Sequence, residues 1–113
     1  MNVDQLVPMP DSRAPFRLKR AGLVPAGQGC YVLATFSGAI LYIGLASNLR
    51  RRMQQHLESK EKTAETPAGR AVWFYWVANS QLQKLERTWL NMHVAQHGAL
   101  PLLNKVSSPV GLG

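Results

Sequence analysis

The chain has 113 residues, 46% of them apolar, and its 13 Lys and Arg against 6 Asp and Glu give a net charge of +7. That is one domain of ordinary size, too rich in large hydrophobic residues to be disordered throughout. No apolar run approaches the roughly 20 residues of a membrane span; the longest runs from Ala71 to Ala78. The single cysteine, Cys30, excludes an internal disulfide and a multi-cysteine zinc site. The N-terminus lacks the basic and apolar stretches of a secretory signal, so the cytoplasm is the expected compartment. A charge excess of this size on so small a body suits a polyanion, nucleic acid first.

Residues 1–27 hold Pro8, Pro10, Pro15 and Pro25. They read as an irregular basic leader with Arg13, Arg17, Lys19 and Arg20 and at most one short helix around Arg13 to Gly22. The domain proper is expected over residues 28–106. Cys30 to Phe36 is β-rich, Ser37-Gly38 signals a turn, and Ala39 to Gly44 forms a second strand, so a hairpin is predicted. Ser47 or Asn48 can cap a helix whose Leu49, Met53 and Leu57 make one apolar stripe. Glu58 to Gly69 is polar, contains Pro67 and reads as a loop. Ala71 to Ala78 is a third strand, apolar enough to be covered on both faces. Asn79 or Ser80 caps a second helix with Leu82, Leu85, Trp89 and Met92 on its core face; Gly98 ends it and Pro101 prevents its resumption. Residues 107–113 are a Ser/Pro/Gly-rich tail, expected to be flexible. The order β-β-α-β-α predicts a small α/β (α+β) layer structure, a three-stranded antiparallel or mixed sheet flanked by helices.

Acids are scarce and scattered. Asp4 and Asp11 lie near the start, Glu58, Glu61 and Glu65 cluster mid-chain, and Glu86 stands alone. A two-metal phosphodiesterase needs a nest of several carboxylates, so hydrolysis here would use one metal or none. Tyr31 and Tyr42 lie on paired strands and can meet across the hairpin. Gly44 leads toward a helix start whose backbone N–H groups can face an anion. Arg52 and His56, four apart, project from the same side of the first helix. Glu86 follows Leu85 beside the core stripe of the second helix, and Asn104 follows Pro101-Leu102-Leu103 where the chain returns to the core. One metal ligand, a guanidinium, an imidazole, two phenols and an amide form a coherent phosphodiesterase kit. The reaction needs an activated water, stabilisation of phosphorane charge and an assisted leaving oxygen, and arginine's planar fork suits the second task.

Gly29-Cys30-Tyr31, Tyr42-Ile43-Gly44, Asn48 to Arg52, Gln55-His56, Leu85-Glu86 and Pro101 to Asn104 together resemble the GIY-YIG nuclease family, from about Gly29 to Asn104. The resemblance implies a mixed α/β fold around a three-stranded antiparallel sheet. It implies hydrolysis of a DNA phosphodiester with one divalent ion, Mg²⁺ or Mn²⁺. Carried over by position, Tyr31 or Tyr42 orients or deprotonates the attacking water, with Tyr31 ranked ahead. Arg52 contacts the scissile phosphate, His56 supports proton movement or phosphate binding, Glu86 holds the metal and Asn104 braces the site. Gly44, Asn48, Arg50 and Arg51 are candidate phosphate or DNA contacts. Cys30 stands in place of isoleucine. Leu45 stands where excision-repair members often carry lysine, which argues against that subfamily or moves the lysine's role to Arg50 or Arg51.

Each residue also has an ordinary reading: strand tyrosines, a solvated basic face, a capping histidine, an ion-paired glutamate. These are plausible singly and poor jointly, because order and spacing match one site. Cys30 reads as a buried small hydrophobe. His93 and His97 share a helix face at a zinc-like spacing and read as surface histidines. Trp73, Tyr75 and Trp76 could stack bases but read as core. Pro10-Asp11 with Glu58-Ser59-Lys60 imitates another nuclease pattern, PD-ExK, yet Asp11 lies in a proline-broken leader. The expected substrate is DNA, with single-stranded, duplex and branched forms open, and the chain is expected to be a monomer or weak dimer. A protein partner for targeting, a non-catalytic DNA-binding or adaptor module, and a toxin-like effector nuclease are the alternatives.

Overall fold

A computed structural model describes residues 1–78 and 81–107. Its sheet has four strands: β1 (Ser12–Pro15), β2 (Gly29–Ala34), β3 (Ile40–Ala46) and β4 (Trp73–Val77). They are arranged in the order β1-β4-β2-β3 with every neighbouring pair antiparallel. The predicted hairpin is β2–β3 and the predicted third strand is β4. The expected count of three is corrected to four. The leader supplies β1, which runs Ser12↔Trp76 to Pro15↔Trp73 along the outer side of β4. Ser-Arg-Ala-Pro has no β-branched or alternating pattern to announce a strand, and its proline is tolerated because β1 is an edge.

Among the described residues there are four α-helices, α1 (Leu49–Leu57), α2 (Lys60–Thr63), α3 (Leu82–His97) and α4 (Leu102–Ser107), of which α1, α3 and α4 pack on the sheet and α2 packs on α1 and α4. Helix α1 begins at the Asn48 cap, whose side chain accepts the Arg51 N–H, and buries Leu49 and Met53 from the predicted stripe. Helix α3 ends at Gly98 in the left-handed region, φ 82°, where glycine carries no Cβ penalty. The short α2 lies inside the segment expected to be a loop. The expected caps Asn79 and Ser80 and the tail from residue 108 fall outside the described residues.

Each face of the sheet has its own core. On one face Tyr31, Leu33 and Phe74 pack with Leu49 and Met53 of α1, and with Ala14, Phe16, Ala21 and Val24 from the leader. On the other, Cys30, Val32, Ile43 and Tyr75 pack with Leu85 and Trp89 of α3 and with Val3 and Leu6. The leader is therefore part of the domain. It also closes the start of α1, where Gly27 and Pro25 carbonyls accept the Leu49 and Arg50 N–H groups, and the Arg50 guanidinium donates to the Val24 carbonyl at 2.9 Å. Arg13 places its guanidinium carbon 3.9 Å from the Trp73 ring centroid and donates to the Tyr75 hydroxyl.

Candidate active site

Antiparallel pairing decides which side chains share a face. Tyr31 stands opposite Gly44 and Tyr42 opposite Leu33, so both tyrosines point to the α1 side, their rings 5.9 Å apart. Gly44 is what lets them meet. A Cβ there would lie 2.7 Å from the Cζ and hydroxyl of Tyr31 and 2.9 Å from the Tyr42 ring, closer than side chains tolerate. Helix α1 then brings His56 down onto the pair. Its Nε2 is 2.7 Å from the Tyr31 hydroxyl, and its ring stands edge-on to Tyr42 at 5.3 Å between centroids. Arg52, one turn earlier, donates from Nη1 to the Leu45 carbonyl and from Nε to the Gln55 side chain. Asn104, from α4, locks the strand between the tyrosines: its amide accepts the Ile43 N–H and donates to the Ile43 carbonyl, both at 2.9 Å. This is a rung of sheet made by a side chain.

The electrostatics follow from burial among cations. His56 is held down to about 3 by burial first, then by Lys62 and Arg52, so its imidazole is neutral near neutral pH. Burial pushes the Tyr31 phenol well above its usual value, with Tyr42 adding to the rise and Arg52 opposing it. Tyr31 is completely covered, whereas Tyr42 is half-buried. Among the described residues no carboxylate forms an ion pair with Arg52 or Lys62.

Glu86 sits on α3, across the sheet from this cluster, and among the described residues makes no hydrogen bond or ion pair with Tyr31, Tyr42, Arg52 or His56. Its neighbour is the Cys30 thiol, pushed up to about 11 by burial and by the Glu86 charge. Burial raises Glu86's own pKa, with Arg87 opposing. Yet Cys30 pairs with Leu45, whose carbonyl holds Arg52. Glu86 and Arg52 thus approach one rung of the sheet from its two faces. An open cleft of about 420 Å³ lies at that end, lined by Gln28, Leu45, Ser47, Gln81, Leu82 and Lys84 among others.

The other sequence-derived candidates have structural partners. The first N–H groups of α1 donate to Gly27, Pro25 and the Asn48 side chain, so the helix start expected to face an anion is closed by protein acceptors. Asn48 is the cap, Gly44 makes room for Tyr31, and Arg50 clamps the leader, while Arg51 is exposed. His93 is not the surface residue expected: it is buried, with Nδ1 2.6 Å from the Ala99 carbonyl, and its ring is 5.2 Å from that of His97. Sequence reasoning missed Lys62, which is buried with its ammonium 4.9 Å from the Tyr42 ring centroid. The available signal was Ser59, an N-cap residue that starts a helical turn inside an apparent loop.

A four-stranded antiparallel sheet flanked by helices, with paired tyrosines on its central hairpin and an arginine and a histidine one turn apart above them, defines a small α+β domain with one polar cluster over that hairpin. The GIY-YIG catalytic domain family matches residues 27–97, and the chain belongs to that family. A search among curated proteins found no match. No helix among the described residues is long and apolar enough to cross a membrane.

Proposed function

We propose that the chain is a metal-assisted endonuclease that hydrolyses DNA phosphodiester bonds. The observation that carries this reading is the cluster of Tyr31, Tyr42, Arg52 and His56, two cations beside neutral acid–base groups with no ion-paired carboxylate, which is a site built for an anion. Tyr42, the more exposed phenol, meets the attacking water. Behind it the Tyr31 hydroxyl and His56 Nε2 share a hydrogen bond of 2.7 Å, along which a proton can shift once the imidazole has gained basicity. On this reading Tyr42, the less buried of the two, is the phenol that faces the water, and Tyr31 stands behind it. Burial keeps His56 unprotonated at rest, with Lys62 and Arg52 adding to it; a phosphate bound beside those cations offsets their share and raises the basicity of the imidazole when a proton has to be moved. Arg52 stabilises the charge that develops on phosphorus oxygens.

Among the described residues no three His, Cys, Asp or Glu side chains gather, so a divalent ion here would rest on few protein ligands, and Glu86 is the carboxylate that the family resemblance assigns to it. Mg²⁺ suits such a donor set, because it keeps several waters and is held by one or two carboxylates plus substrate phosphate. When bound, the ion supplies Lewis-acid stabilisation of the phosphoryl group. Glu86's partial burial leaves its carboxylate incompletely hydrated and open to a cation.

The test is incubation of the purified chain with labelled single-stranded, duplex and branched DNA, in Mg²⁺ or with EDTA. Cleavage that requires Mg²⁺ and is lost in Glu86→Gln and Arg52→Ala supports the reading. Glu86→Gln cutting at the wild-type rate, or no cleavage of any of the three substrates, overturns it.

A further inference from the structure

Lysine is almost never buried unless its charge has a partner. Lys62 is 7% exposed. It sits on α2, a single turn nucleated by Ser59, whose hydroxyl accepts the Lys62 N–H while its carbonyl accepts the Thr63 hydroxyl. That turn aims Lys62 inward, toward the Tyr42 ring of β3. Its four-carbon stem is covered and its ammonium rests against Tyr42 at 4.9 Å from the ring centroid. Glu58, Glu61 and Glu65 all lie within four residues of it in sequence, yet among the described residues none reaches it. The one ion pair formed there joins Glu65 to Arg70 on the surface. The ammonium also makes no hydrogen bond to the described residues. No fully enclosed side-chain nitrogen or oxygen among them lacks a partner, so the tip of Lys62 meets solvent. A cation–π contact recovers only about 0.5–2 kcal/mol, and no protein group neutralises the charge.

We infer that Lys62 is a DNA-binding residue of this site: its ammonium, propped by Tyr42, takes a backbone phosphate while Arg52 takes the scissile one. The inference rests on the nuclease reading and extends it to a residue that the sequence pattern did not single out. The repulsion that Lys62 and Arg52 both exert on a histidinium at His56 supports it, since both charges are felt at one point and an anion between them relieves both. Tyr42 then has a second task, as the platform that sets the height of the ammonium.

The experiment measures DNA affinity against salt in a Glu86→Gln background, which prevents cutting. The proteins are Lys62 itself, Lys62→Met, and Lys62→Arg as the conservative rescue. Losing one phosphate contact makes the slope of log K against log salt shallower by about 0.9 on duplex DNA, equivalent to about an eightfold weaker complex at 0.1 M salt. Lys62→Arg restores the slope. A slope unchanged in a folded Lys62→Met protein overturns the inference and leaves the nuclease reading standing. Failure of the Lys62 parent itself to bind DNA overturns the nuclease reading and this inference with it. Should Lys62→Met lose its cooperative thermal transition, the side-chain Cε resonance of Lys62 in the parent is followed instead as duplex DNA is added. A shift supports the contact, and none refutes it.

Discussion

On the α1 face of the sheet, buried Tyr31 and His56 are joined through a hydrogen bond and ringed by two cations. On the α3 face, Cys30, Val32, Leu85 and Trp89 make an ordinary apolar core with one half-buried carboxylate at its rim. Both faces hang on the same strands, and alternate residues of β2 serve one or the other. The first face combines an apolar core with a cluster of side chains held for what they do to charge; the second is held almost entirely by the volume its side chains fill. Substitutions should therefore separate stability from turnover according to face.

The largest effect is expected on the apolar side. Trp89 is fully buried and its Nε1 donates to the Pro8 carbonyl at 2.9 Å. Trp89→Ala should cost about 3–5 kcal/mol of stability, measured by denaturant unfolding. A cost below that of a surface substitution would mean the two faces are not distinct in this sense. Next, Arg52→Ala should lower cleavage by about 10²–10³-fold while shifting the thermal midpoint less than Trp89→Ala does. A rate loss larger for Arg51→Ala than for Arg52→Ala would reassign the phosphate contact.

A pH titration sharpens the contrast. His56 takes a proton near 6.5 when unfolded and only at about 3 when folded. The unfolded chain thus binds more protons between those values, and stability is lost as pH falls through that window. The loss approaches about 1.4 kcal/mol per pH unit for one such group. His93 is shifted in the same direction by burial on the other face, so the comparison is with His56→Gln, which should flatten the His56 part and leave the rest. An identical acid limb in the two proteins would show that His56 is not buried neutral. The smallest effect is at the α1 cap: Asn48→Ala should cost about 1 kcal/mol, read from the same unfolding curves, with cleavage kinetics close to wild type. A strong loss of DNA affinity in a stable Asn48→Ala protein would give Asn48 a substrate contact after all.

The elements that carry dense apolar patterns were legible in the sequence: the hairpin, α1, β4 and α3, together with the α3 stop at Gly98. So was the meeting of Tyr31 with Tyr42 and the stacking of Arg52 above His56, because strand pairing and helical spacing fix both. Edge strand β1 was not legible, since Ser12 to Pro15 owes its conformation to a partner some sixty residues away. Nor was the burial of Lys62, which depends on how one turn of α2 docks, not on any local pattern. Arg50 misled because adjacency in an arginine run says nothing of which carbonyls lie within reach. His93 misled because its cover comes from beyond the helix end.

The pairing of β1 with β4 also dictates an order of assembly. Ser12 to Pro15 leave the ribosome early but have no partner until Trp73 to Trp76 have followed, and β2 likewise keeps one bare edge until β4 arrives. Bare strand edges invite pairing with other chains, and contacts so distant in sequence are slow to form. Nascent chains that stall before β4 has emerged should be prone to aggregate, and emergence of β4 and then α3 should allow the sheet to close and its second face to be covered.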